Sequence, residues 1–236
     1  MSTIQIKATD GSGSFSAYYV PATGDHAGAS VGAVVLIQEI FGVNKSMRET
    51  ADAVAALGYH VLAPDLFWRQ EPGVDITDKT QGEWDKAFAL MNGFDQDKGI
   101  DDLKATLAAA RALPGSSGKA ATMGYCLGGR LAFMMATRSD ADLNISYYGV
   151  GLDGLLGGVG QIGHRLVVHI AALDDYVPAA AREKIVATTA ANKLISTHVY
   201  PNAHHAFARV GGVHWDTRSA WIANGRSAEA LADVLG

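Results

Sequence analysis

The sequence predicts an α/β protein, a mostly parallel β-sheet with helices on both faces. Residues 31–38, VGAVVLIQ, form a continuous apolar run of the kind a strand shows when both of its faces are buried. Strand-like and helix-like segments alternate along nearly the whole chain, as they do where helical crossovers join parallel strands. With 236 residues, 48% hydrophobic and 18% charged, there is apolar surface for one substantial core, and residues 1–236 are expected to form a single domain.

The elements follow in order. TIQIKA and SFSAYYV are β-like and flank the turn-rich DGSG, which predicts an opening hairpin leading into VGAVVLIQ. KSMRETADAVAALG then places apolar residues at helical spacing and closes on Gly58, where a C-terminal cap belongs, and YHVLAPD reads as the next strand. The stretch from Pro64 to about Gln81, with Pro, Gly and Asp scattered through it, is expected to be irregular and to wall a pocket. Beyond it, DLKATLAAARAL reads as a helix, KAATMGY as a strand, and a helix begins near Cys126. LNISYYG and RLVVHIAAL are strands, AAAREKIVATTAAN a helix, LISTHVYP a strand, and a final helix starts at about Trp215. The glycine-rich GVGLDGLLGGVGQIG lacks the strand-to-helix setting of a dinucleotide-binding loop, so no cofactor is expected.

Charge and composition exclude several classes of function. A formal net charge of -5, without any block of like charges, gives no field for holding a phosphate backbone, and nucleic acid is not an expected partner. No apolar run approaches the roughly 20 residues that a membrane helix needs, and MSTIQIKATDG is not a signal peptide, so no membrane contact and a cytoplasmic location are expected. The single cysteine, Cys126, has no internal disulfide partner and must act, if at all, as a thiol.

That thiol sits in the most informative motif. Gly124-Tyr125-Cys126-Leu127-Gly128 fits the G-x-S-x-G nucleophile elbow with cysteine in place of serine, after a strand and before a helical run. The turn is so sharp that side chains two residues to either side would collide, which accounts for glycine at 124 and 128. A nucleophile at a helix N-terminus meets unpaired N–H groups and the positive end of the helix dipole, both of which favour a thiolate. A free cysteine is more often an inert buried thiol; the strand-elbow-helix setting tells against that here.

A nucleophile needs a base, and the base an orienting acid. In the α/β-hydrolase order the acid follows a later strand and the histidine lies near the C-terminus. Both places are filled, each with two candidates: Asp174 and Asp175 after RLVVHIAAL, and His204 and His205 after LISTHVYP. One aspartate of such a pair commonly caps the following helix. His60, His164, His169 and His198 lie in or beside predicted strands and read as structural, while His26 and His214 have no placed partner.

With these motifs assembled, the chain resembles the dienelactone hydrolase family, carboxymethylenebutenolidase-like members of the α/β-hydrolase fold. The resemblance runs through QEIFGVN (38–44), MRET (47–50), GYHVLAPDLFWRQEPG (58–73), GYCLGG (124–129), YYGVGL (147–152), the D-x-x-V-P of 174–178 and HAFAR (205–209). It implies a carboxylic ester hydrolase that opens a small lactone or enol ester through a thioester, with no cofactor or metal. The family motifs select Asp174 as the acid and His205 as the base. They imply that Glu39 takes the thiol proton when substrate displaces it, and that the backbone N–H groups of Ile40 and Leu127 form the oxyanion hole.

The resemblance implies further that arginines hold a substrate carboxylate. Arg209 matches one of them; the other would fall near Trp84, where no arginine stands. Arg69 is a candidate for the same wall, with a surface ion pair as its ordinary alternative, and Phe41, Trp68, Trp84 and Phe88 are expected to line an apolar pocket. A small-molecule ester is thus the expected partner of a monomer or small homo-oligomer. The other classes are a non-catalytic scaffold and a redox-sensing thiol, the latter weakened by the lack of a resolving cysteine.

Overall fold

The run VGAVVLIQ becomes strand β3 (Val31–Ile37), and all seven of its residues are buried. The same holds for β4 (His60–Pro64). Successive strand residues point to opposite faces, so complete burial means that both faces are covered. The structure, a computed structural model, describes residues 2–236 and divides into two compact units, one reaching to Ala121 and joined by Leu235, the other running from Thr122 to Val234 with Gly236.

In the first unit the strand order is β1 (Ser2–Lys7), β2 (Ser14–Val20), β4, β3, β5 (Ser116–Tyr125). β1 and β2 form the expected antiparallel hairpin, β2 pairs antiparallel with β4, and β3 and β4 run parallel with Val34 opposite Val61. Helices α1 (Lys45–Ala56) and α3 (Gln96–Arg111) pack on these strands. Their starts are set by side chains that satisfy otherwise orphaned N–H groups: Asn44 accepts from Met47 N, and Asp95 from the N–H groups of Asp97 and Lys98. Helix α2 (Gln81–Asn92) ends the irregular stretch; Thr80 accepts from Glu83 N while the Glu83 carboxylate returns to the Thr80 hydroxyl.

In the second unit the order continues from β5 through β6 (Leu143–Tyr147), β7 (Arg165–Ala171) and β8 (Ile195–Tyr200), with β6, β7 and β8 parallel. Strand β5 thus belongs to both units. Helix α4 (Leu127–Arg138) packs on β6 and β7, and α5 (Ala179–Thr189) on β8. Helix α6 (Thr217–Leu235) starts two residues after the expected Trp215, because Asp216 caps it by accepting from Ser219 N at 2.7 Å. The glycine-rich segment forms two short 3₁₀ turns that carry Leu152, Leu156, Val159 and Ile162 into a cluster with Leu166, Val168, Ile170 and Ile185. The segment thus packs into the core, and Gly151 at its start takes the left-handed conformation at φ +64°. Among the described residues no helix is long and apolar enough to cross a membrane.

Candidate active site

The site begins where β5 gives way to α4 with a single residue between them. That residue is Cys126, held at φ +56°, ψ -114°, a region that non-glycine residues enter only when the surroundings impose it. Its N–H donates to the Tyr147 carbonyl at 3.0 Å and its own carbonyl accepts from Arg130 N at 3.0 Å, so the turn is tied at both ends. A Cβ on Gly124 would lie 2.0 Å from the Gly128 carbonyl oxygen, and one on Gly129 2.4 Å from that of Tyr147. Close backbone approach therefore requires both glycines. Leu127, first residue of α4, has no intrahelical acceptor for its N–H, and the positive end of the helix dipole lies beside the buried thiol.

The other two members come from the loops after β7 and β8. His205 Nδ1 lies 2.8 Å from Asp174 Oδ2, and both residues are buried. The second oxygen, Oδ1, accepts the Tyr176 N–H at 2.9 Å, so both carboxylate oxygens are engaged. A side-chain hydrogen bond also links His205 to Cys126. The next residue, Ala206, has φ +61°, the second left-handed non-glycine position at the site. Of the alternatives that the sequence left open, Asp175 is exposed, and His204 is exposed and stacks on His214 with ring centroids 5.2 Å apart.

Opposing effects act on His205. Burial disfavours its charged form, but the adjacent Cys126 charge, together with hydrogen bonds to Asp174 and Cys126, more than compensates and pushes the imidazole up to about 10. Two rings stand edge-to-face against the imidazole: Tyr148 at 5.2 Å and 64°, and Tyr176 at 4.8 Å and 70°. Neither tyrosine was given a role by the sequence motifs. Tyr148 has φ +36° and is the third left-handed non-glycine residue of the chain; the only available signals were its place after β6 in YYG and the place of Tyr176 inside D-D-Y-V-P.

In the first unit, Glu39, Ile40 and Phe41 follow β3 and are all buried. Gln38 fixes this turn, donating to the Glu39 carbonyl at 3.3 Å and accepting from Leu66 N at 3.1 Å. Phe41, Trp84 and Phe88 form the expected aromatic group, with centroids 5.0 and 5.5 Å apart, and Trp84 Nε1 donates to the Asp78 carbonyl at 3.0 Å.

Arg69 takes the ion-paired alternative that the sequence left open. Arg69 is clamped between Asp102 at 2.8 Å and Asp10 at 3.0 Å, and lies over the Trp68 ring at 4.4 Å. Trp68 in turn donates to Asp102 at 2.8 Å and stacks on Phe15 at 5.7 Å. The buried Asp102 carboxylate must be paired, and these two side chains supply the pairing. Arg209 lies four residues beyond His205, its N–H donating to the Ala206 carbonyl at 3.0 Å.

Comparison with known proteins adds to this geometry. The model of the dienelactone hydrolase family matches residues 17–234. A protein of Azospirillum brasilense, provisionally named as a carboxymethylenebutenolidase, is 51% identical over 236 residues, covering 100% of each chain. Carboxymethylenebutenolidase 1 of Cupriavidus pinatubonensis is 39% identical over 229 residues, 97% of this chain and 95% of that one. Among solved structures, a protein of Klebsiella pneumoniae described as a provisional dienelactone hydrolase superposes with a TM-score of 0.82 over 98% of both chains at 23% identity, a likeness of fold.

Proposed function

The chain belongs to the dienelactone hydrolase family, with the α/β-hydrolase fold and as a carboxylic ester hydrolase, and from that premise we propose that it opens a small lactone or enol ester, of the dienelactone-to-maleylacetate type, through a thioester on Cys126. The observation that carries this reading is the buried Cys126–His205–Asp174 array on a strained elbow.

The electrostatics of the array suggest how one histidine serves both half-reactions. In the free enzyme the environment of His205, next to Cys126 and Asp174, favours its protonated form. Attack on the ester carbonyl forms the S–C bond, and the oxyanion is received by the backbone N–H groups of Leu127 and, as the family motif has it, Ile40. Each such donor contributes about 3–4 kcal/mol in comparable sites. The C–O bond then breaks and the enolate leaves, with His205 as the nearest proton donor. Acylation removes the thiolate charge. The effects that raised the imidazole then shrink to the hydrogen bond and charge of Asp174, burial draws it toward the neutral form, and it becomes the base that takes a proton from water for deacylation. Glu39 is retained in the role its motif implies, taking the thiol proton when substrate displaces it.

For substrate binding the reading keeps Arg209 as the partner of a carboxylate and Phe41, Trp84 and Phe88 as an apolar wall, and it does not use Arg69. A cytoplasmic enzyme, monomeric or a small homo-oligomer, goes with it. The test is hydrolysis of p-nitrophenyl acetate, cis- and trans-dienelactone and neutral lactones by wild type, Cys126→Ala and His205→Ala, with mass spectrometry of the quenched enzyme. The expected result is loss of about 10³-fold or more in kcat for each variant, and an acyl adduct on the peptide containing Cys126 when deacylation is slowed in His205→Ala. Unchanged turnover in Cys126→Ala removes the thioester route; preference for neutral lactones removes the carboxylate.

A further inference from the structure

We propose that Tyr148 and Tyr176 form an aromatic slot that fixes the ring plane of His205, with Tyr176 a positioning residue that keeps Nδ1 on Asp174 while the opposite edge stays turned to the Cys126 sulfur. The proposal rests on the catalytic reading of Cys126 and His205 given above.

One hydrogen bond fixes a point on an imidazole but leaves rotation about that bond. A base that must face a sulfur in one half-reaction and a water in the next needs a second restraint, because small misplacements of reacting groups are costly. The two rings meet the imidazole at 64° and 70° and at centroid distances within the range of edge-to-face aromatic contacts. Each tyrosine is tied down at its backbone. Tyr148 is buried, packs edge-on against Phe207 at 5.4 Å, and is held in its left-handed conformation by its N–H bond to the His169 carbonyl at 2.8 Å. Tyr176 is anchored by Asp174: the carboxylate that accepts His205 through Oδ2 accepts the Tyr176 N–H through Oδ1. One carboxylate thus orients both the base and a wall of its slot.

Tyr176 is 49% exposed whereas His205 is 8% exposed, so the tyrosine stands between the imidazole and solvent. Its phenol is held above its ordinary value by burial, then by the charges of Cys126, Asp174 and Asp175, with Arg209 opposing. It therefore stays neutral at physiological pH, and offers the imidazole a ring rather than a competing charge.

The experiment compares Tyr176→Leu and Tyr176→Phe with wild type by two measurements. One is the rate of Cys126 alkylation by iodoacetamide as a function of pH, which reports the thiolate paired with His205 and needs no ester substrate. The other is kcat and KM for p-nitrophenyl acetate. The expected result is that Tyr176→Leu alkylates several-fold more slowly at neutral pH and loses about tenfold or more in kcat, with KM little changed, while Tyr176→Phe retains both. Three results overturn the proposal: wild-type alkylation and kcat in Tyr176→Leu, a loss in Tyr176→Phe as large as in Tyr176→Leu, or a rise in KM at constant kcat. Since alkylation is read without turnover, failure of the ester assignment leaves the slot testable, and failure of the slot leaves the thioester reading standing.

Discussion

At the scale of single residues the chemistry turns on the charge state of His205. Its imidazole is raised from 6.5 to about 10, against its burial, chiefly by the neighbouring Cys126 charge. A group whose value is raised on folding stabilises the fold fully below its unfolded value and loses that contribution as the pH climbs through the folded one. The window here runs from about 6.5 to about 10. Removing the sulfur removes the largest raising influence and leaves burial in place. In Cys126→Ala, the His205 ring resonances followed by NMR are therefore expected to titrate well below those of wild type, and the melting temperature is expected to fall less between neutral pH and pH 10. Identical titration in the two proteins contradicts the charge assignment. The same logic explains why His169, wholly buried between the Tyr200 hydroxyl at 2.8 Å and Ser227 Oγ at 3.0 Å, is a structural residue: burial holds it well below its ordinary value, and it stays neutral.

At the scale of elements the decisive unit is β5-elbow-α4. The strand and the helix are separated by one residue, and their backbones come so close that Gly124 has a carbonyl oxygen where a Cβ would stand. Neither partner of that clash is a side chain that can move aside. Gly124→Ala is accordingly expected to cost about 1–3 kcal/mol, seen as a shift of the denaturation midpoint. It should also displace Cys126 enough to reduce alkylation and turnover together; an alanine variant with wild-type stability and activity shows that the elbow has slack. Helix starts follow local chemistry, with Asn44, Thr80, Asp95 and Asp216 each accepting from N–H groups of the first turn. The Thr80–Glu83 box was available in the sequence as the start of α2, but apolar spacing in that segment is a weaker guide than in α1.

At the scale of the whole molecule, each unit ties sequence-distant segments together through buried polar groups. In the first, Arg69 joins the β1–β2 turn, through Asp10, to α3, through Asp102. In the second, Ser227 of α6 takes part in hydrogen bonds with Tyr147 of β6 at 2.7 Å and with His169 of β7. Removing one partner of a buried pair leaves a desolvated charge, so Arg69→Met is expected to destabilise the protein by about 3 kcal/mol or more, read by chemical denaturation, while KM for esters stays at the wild-type value. A large rise in KM with stability intact returns Arg69 to the substrate wall.

The strands, the main helices and the elbow that carries Cys126 were legible in the sequence because each rests on a local rule: period, capping, or the glycine demand of a sharp turn. The choice of Asp174 over Asp175 and of His205 over His204 was legible only through family motifs, since neighbours in a loop share composition and differ in direction. The pairing of Arg69 and Trp68 with Asp102 was not legible, because nothing local shows that a carboxylate more than thirty residues on needs both of them. Tyr148 and Tyr176 were missed for a similar reason, as a tyrosine beside a strand becomes a wall of a site only when another loop brings a histidine to it. By itself the sequence determined the elbow and the thiol that it presents, because steric exclusion between adjacent backbone segments is a local property. Only the tertiary structure decided the protonation of His205 and the slot that holds it, because desolvation and the field of a neighbouring charge exist only after distant segments have been packed together.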